Sequence, residues 1–185
     1  MDVLRVRDAD VGEIARLLGC FDLALERVDE ATTISGSYWG ESEAGLIESR
    51  LYARDDTPVH SVLHETAHFV CMTPERRRRL FTDAGGNDAE EDAVCYLQVL
   101  LSDALSFLSR SRLFADMDAW GYSFRLGSSA RWFEEDADDA RHWLEEKGLI
   151  QDGQKPTWAR RGDDDLRGEQ TRQRMSFGLG ELTQV

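Results

Sequence analysis

The sequence predicts an α+β fold, mainly helical, with a small antiparallel sheet ahead of one central helix. Three observations predict it: apolar residues recur at three- and four-residue spacing in several stretches, alternate at two in the first third of the chain, and surround segment 58–72 on most sides. With 185 residues, 41% hydrophobic and 31% charged, the chain fits a single domain over 1–150 and a polar tail or arm over 151–185.

Asp8 is placed to cap a short helix in which Val11, Ile14, Ala15 and Leu18 share a face, with Gly19 as its stop. Phe21, Leu23 and Leu25 alternate, so FDLALERV reads as a strand, although Leu23, Ala24 and Arg27 also fit a helix. A turn-rich stretch leads to a second strand, Leu46 to Arg54, and the two read as a small antiparallel sheet. Thr57 as N-cap and Pro58 at the first helical position open a helix running to about Met72, with Val59, Val62, Leu63, Ala67, Val70 and Cys71 around much of its circumference.

Thr73-Pro74 repeats the cap-plus-proline signal and opens a short basic helix, whose run Arg76 to Arg79 reads as a solvated face. After a loop at Asp83 to Asn87, Asn87 or Asp88 caps a second long helix through Val94, Leu97, Leu101, Ala104 and Leu108. A shorter helix follows from Ser111 to Trp120, broken by residues 121–127. Ser128 or Ser129 then caps an amphipathic helix ending near Lys147, with Gly148 as stop.

The net charge of −14 argues against a phosphate-backbone partner, so no nucleic acid is expected. No run approaches the ~20 apolar residues that span a bilayer. Cys20, Cys71 and Cys95 are scattered among apolar neighbours, which suits reduced thiols, and the charged start MDVLRVRDAD lacks an apolar signal region. The expected location is the cytoplasm, with no membrane partner.

The chemistry concentrates in the HETAH run, His64 to His68. On a helix, residues four apart differ by about 40° in azimuth and about 6 Å in height, so His64 and His68 can share one ion. Glu65 falls just beside that face, where a carboxylate can reach a water in the open position of a zinc site and act as general base. A buried helix with these polar groups must satisfy them, and a metal ion does so. A three-histidine continuation requires Gly at 71 and His at 74; the chain has Cys71 and Pro74. His60 lies one turn before His64 and aims along the helix, and His142 is expected at the surface. The third ligand is then a carboxylate from the next long helix, Glu90 or Glu91, with Asp88 as a further possibility. Their faces alone do not decide between them.

HExxH followed about two dozen residues later by a helix-borne glutamate resembles the gluzincin zinc peptidases, and more narrowly the compact bacterial ImmA/IrrE-type domains. The resemblance covers roughly Leu46 to Leu101 and implies a zincin-like fold. It places Glu91 as third ligand of a Zn2+ site with His64 and His68, Glu65 as the catalytic base, and a peptide or protein as substrate. It also implies that strand Leu46 to Arg54 offers its edge to an extended peptide. The family's Asn or Asp four residues after the ligand is replaced by Cys95, and a thiol orients a ligating histidine poorly. Candidates for an oxyanion donor are Tyr52, Tyr122, Arg125 and Arg131. Two other outcomes share these residues: an enzyme dedicated to one protein partner, and a metal-stabilised binding or regulatory protein in which Cys71 or Cys95 fills the fourth position.

Overall fold

Helix α2 (Val59–Cys71) has apolar side chains on nearly every side, and the remaining elements pack around it. Val59, Val62, Leu63, Ala67, Phe69, Val70 and Cys71 are all at most 3% exposed. The computed structural model describes residues 2–163 apart from 38, 39, 41, 83 and 153.

After a short 3-10 turn at Val6–Asp8, the elements run α1 (Val11–Gly19), β1 (Ala24–Arg27), β2 (Gly45–Ile47), β3 (Arg50–Ala53), α2, α3 (Pro74–Arg77), α4 (Asp88–Ser102) and α5 (Arg110–Trp120). Then follow α6 (Ser129–Glu135), α7 (Asp138–Glu146), β4 (Ile150–Gln151) and β5 (Lys155–Pro156). Helix α4 lies along α2 and α7 along α4, and Leu97, Leu100, Leu101 and Leu144 seal the seams at no more than 2% exposure. No helix among the described residues is long and apolar enough to cross a membrane.

The sheet departs from the expected pairing in one respect. The stretch Leu46 to Arg54 is not one strand: a two-residue turn with Glu48 at φ 51° reverses the chain, so β2 and β3 form an antiparallel pair. Having reversed, β3 runs in the direction of β1 and pairs with it in parallel, giving the order β1-β3-β2. Leu51 and Ala53 face the core while Arg50 points outward, the period of two expected of a strand.

Several boundaries move for local reasons. Asp10, not Asp8, caps α1 by accepting from the Glu13 amide; Asp8 is spent in the preceding 3-10 turn. Thr57 does not cap α2, because its hydroxyl accepts from the Arg54 amide, and the helix begins one residue after extended Pro58. Helix α4 stops at Ser102, whose hydroxyl donates to the Val99 carbonyl, and the next turns tighten to three-residue hydrogen bonds. The long helix expected up to Lys147 is two, α6 and α7, because Asp136 leaves helical geometry and pairs with Arg125. That break puts Asp138 and Asp139 in the first turn of a helix, where the dipole favours them.

The four-arginine run is not a uniform solvated face. Arg78 and Arg79 are exposed, but Arg77 is buried and donates to the carbonyls of Phe69, Met72 and Arg161, tying off the end of α2. Burial, with Arg160 beside it, pushes its guanidinium down to about 10. The first part of the expected arm is docked: Trp158 stacks on Phe21 at 5.8 Å between centroids, and the Arg161 amide donates to the Val70 carbonyl at 2.9 Å. Its remainder, 164–185, lies outside the described residues.

Arg77→Met leaves three inward carbonyls without their donor and is expected to cost about 2–4 kcal/mol in a urea unfolding titration. Arg78→Met, at an exposed neighbour, is the control and leaves the midpoint in place.

Candidate metal centre

Helical spacing puts His64 and His68 on the same side of α2, and the start of α4 brings a carboxylate to them. Asn87 accepts from the Glu90 amide and fixes the first turn of α4, so Glu90 and Glu91 leave the helix about 100° apart. Glu90 turns inward and is 5% exposed, with one carboxylate oxygen on Arg76 and the other on Arg161. Glu91 turns to the histidines. Its Oε1 is 3.2 Å from His64 Nε2, its Oε2 is 3.5 Å from His68 Nε2, and the two Nε2 atoms are 3.1 Å apart.

These separations form a triangle suited to zinc. Ligand bonds of about 2.0–2.1 Å at tetrahedral angles set donor atoms about 3.3 Å apart. Among the described residues, His64, His68 and Glu91 are the group whose ligand atoms converge, and Asp88 and His60 are outside it. His68 is buried, His64 half-buried and the Glu91 side chain 44% exposed, so the cluster opens to solvent on the Glu91 side.

The orientation of His64 is set by a residue outside the sequence-based candidates. Gln98 stands two turns beyond Glu91 on α4. Its amide Nε2 donates to the His60 carbonyl at 2.9 Å, which leaves Oε1 to accept from His64 Nδ1 at 3.1 Å. With Nδ1 carrying that hydrogen, the lone pair of His64 is on Nε2, the atom in the triangle. Gln98 therefore takes the orienting part that the family pattern assigns to the position of Cys95. The signal in the sequence was a single polar residue within the apolar run Val94 to Leu101, and the structure buries it fully. His68 Nδ1 has no partner among the described residues.

The charge states are coupled. Burial pushes His68 down to about 3, helped by the charge of His64. Burial also opposes a charge on His64, but Tyr122, Cys95 and Glu91 outweigh it and hold its pKa well above the usual imidazole value. Burial disfavours ionised Glu91 as well, yet the His64 hydrogen bond keeps its carboxyl below the ordinary range. A dication suits this set, since both imidazoles and the carboxylate present lone pairs to one point once the His64 proton leaves.

Glu65 is half-buried and lines the same cleft, of about 550 Å³, with Glu43, His60, Thr82 and Tyr122. Burial raises its carboxyl to about 7, with Glu43 and Glu91 adding to the rise and His64 opposing it. Tyr122 reaches the cleft because Gly121 ends α5 in the left-handed region, φ 102°. Its ring meets His64 edge-on at 5.8 Å, and burial pushes its phenol up to about 12, so it remains a hydrogen donor at neutral pH. Of the other polar candidates, Arg125 pairs with Asp136 and Arg131 with Glu135, away from the cleft, and Tyr52 does not line it. His142 is exposed, as expected.

Two further expectations are corrected or narrowed. Strand β3 is central and paired on both sides, so it has no free edge for a peptide. The outer side of β2 is also covered, by an Ile47–Phe81 bridge and by Leu46 bonded to Gly36 and Thr82. Neither Cys71 nor Cys95 belongs to the converging group; burial pushes the Cys71 thiol far up, away from the thiolate a metal needs. No protein-family model, curated protein or solved structure matches the chain.

Gln98→Leu removes the acceptor from His64 and is expected to weaken zinc binding about 10–100-fold with the fold retained, measured by competition with a chromophoric chelator. Zinc affinity should also rise with pH. The sign follows from His64: below its raised pKa it holds a proton that the metal must expel, so uptake near neutrality releases protons and becomes tighter as pH increases. Titration calorimetry in buffers of different ionisation heat reads that release; an affinity flat from about pH 6 to 8 contradicts it.

Proposed function

We propose that the chain is a zinc-dependent metallopeptidase of the gluzincin type, resembling the ImmA/IrrE-type domains, with His64, His68 and Glu91 as metal ligands and Glu65 as general base. The single observation behind this reading is the convergence of two helix-borne imidazoles and one carboxylate, with a second carboxylate beside them in the same open cleft. Zinc at that point supplies a Lewis acid for a carbonyl oxygen and lowers the pKa of a coordinated water.

The protein's part is to hold and move protons around it. Gln98 fixes the tautomer of His64, so the ligand lone pair stays directed at the metal. Glu65, with a carboxyl near the working pH, takes the proton from the attacking water and returns it to the leaving amine. The neutral Tyr122 phenol supplies a donor to the oxygen that gains charge. The metal-stabilised binding protein is the weaker reading, because a closed structural site needs a fourth protein ligand and both cysteines stand outside the converging group.

Glu65→Gln is the decisive variant: zinc content should stay at the wild-type level while hydrolysis of a mixed peptide library, followed by mass spectrometry, falls by about 10²–10⁴. Cleavage by the variant at full rate sinks the assignment of Glu65. Glu91→Gln should instead lose the metal and activity together, and Tyr122→Phe should lower kcat by about 10–10³ with little change in KM. A chelator abolishes the wild-type activity, and added zinc restores it.

A further inference from the structure

The cleft continues past the metal cluster to a second polar end. His60 stands one turn before His64 on α2, about 6 Å along the axis. It is 1% exposed and lines the cleft, yet neither ring nitrogen has a hydrogen-bond partner among the described residues. A phenylalanine would fill the same space between Trp120 and Tyr122, whose rings lie 5.2 and 5.6 Å away, without burying two unmatched polar atoms. The nitrogens therefore point to a group that arrives in the cleft.

Glu43 lines the same cleft as this imidazole. Trp120 forms a common wall, packing on His60 and donating its indole N–H to Glu43 Oε1 at 2.9 Å. The backbone just after Glu43 is fixed to the first turn of α2, where the Ala44 amide donates to Ser61 Oγ at 2.9 Å. Among the described residues Glu43 has no cationic partner, and none of those lining the cleft is Lys or Arg. A dication at the cluster is offset by Glu91 and Glu65, which leaves the charge of Glu43 over.

We infer that Glu43 and His60 form a subsite for a cationic nitrogen of the substrate, either an N-terminal ammonium or the head of a Lys or Arg side chain, one helical turn from the metal cluster. Glu43 supplies the opposite charge and a neutral His60 the lone pair that accepts from the cation. Burial holds the imidazole neutral, at about 3, far below working pH. An anion is excluded by three carboxylates in one cleft. The two sources differ in reach: an N-terminal ammonium lies about 2.5 Å from the carbonyl carbon of its own residue, so the first bond meets the metal, whereas a side-chain head places the cut further along. The substrate class rests on the peptidase reading, while the cation preference itself is a binding property.

The test uses the zinc-loaded full chain in a Glu65→Gln background, which keeps peptides intact, with zinc content assayed on the same samples. Three probes are titrated by calorimetry: tetra-alanine amide with a free N-terminus, its N-acetyl form, and an N-acetyl form containing one lysine. The free-amine or the lysine peptide is expected to bind about tenfold tighter than the acetylated one, and which of them does identifies the source. Glu43→Gln keeps the acceptor for Trp120 and removes only the charge; it should erase the preference with zinc unchanged. His60→Phe, a change of similar shape, should weaken the preferred peptide several-fold. Equal binding of all three probes, no binding of any, or a preference that survives Glu43→Gln overturns the inference. A preference that depends on Glu43 in a protein whose wild-type form cuts no peptide counts against the peptidase reading and leaves the subsite standing.

Discussion

The structure depends on the seam between α2 and α4. Both helices are buried over most of their surface, and the apolar contacts between them stabilise the fold while excluding water from the polar groups they enclose. Excluded water makes each enclosed polar atom expensive unless it is paired. Gln98 answers that constraint inside the seam: one amide satisfies a backbone carbonyl of α2 and a histidine of α2 at once. A leucine there would serve packing equally well and would leave His64 free to turn. The seam holds the helices together and also sets which atom of His64 faces the cleft.

Adjacent glutamates at the start of α4 divide the work. Glu90 is a carboxylate below ground, held by Arg76 and Arg161 and set against the docked segment around Trp158. Glu91, one residue on, is partly exposed and faces two imidazoles. Fixing Glu90 on both oxygens fixes the azimuth of the first turn, and with it the direction in which Glu91 leaves the helix. A buried ion pair contributes little net stability once desolvation is counted, but it discriminates strongly against a rotated helix. The segment from Trp158 to Asp163, the α3 arginines and the candidate site are therefore mechanically connected, since Arg77 and Arg161 meet at the end of α2.

What was legible in the sequence was local. The HETAH spacing, the Thr73-Pro74 start and the Asn87 cap are short patterns whose physics involves a turn or two of chain, and each appears in the structure. What was not legible depended on distant partners. Thr57 looked like a cap until the Arg54 amide claimed its hydroxyl, and the arginine run looked solvated until the carbonyls at the end of α2 claimed Arg77. The parallel pairing of β1 with β3 follows from a two-residue turn inside what read as one strand. For the candidate third ligand, the helical faces of Glu90 and Glu91 were equivalent on paper; in the structure Arg76 and the distant Arg161 take up Glu90 and leave Glu91 to the histidines. Cys95 drew attention because a family pattern expects a polar residue there, yet the requirement belongs to His64 Nδ1, and any side chain that reaches it can meet it. Gln98 reaches it from the next turn.

The same logic explains why the cleft is polarised along α2. Successive turns of one helix present His60, His64 and His68, identical in chemistry and different in surroundings. His68 is neutral because it is buried, His64 is drawn toward the charged form by Tyr122, Cys95 and Glu91 around it, and His60 is neutral and unmatched between two aromatic rings. Gln98 bonds to the backbone of the first and the ring of the second, so the two ends of the cleft share one rigid support. Any group seated against His60 would then stand at a distance from the cluster fixed by the helix rise rather than by loops, and a regular helix is among the stiffest rulers a protein has.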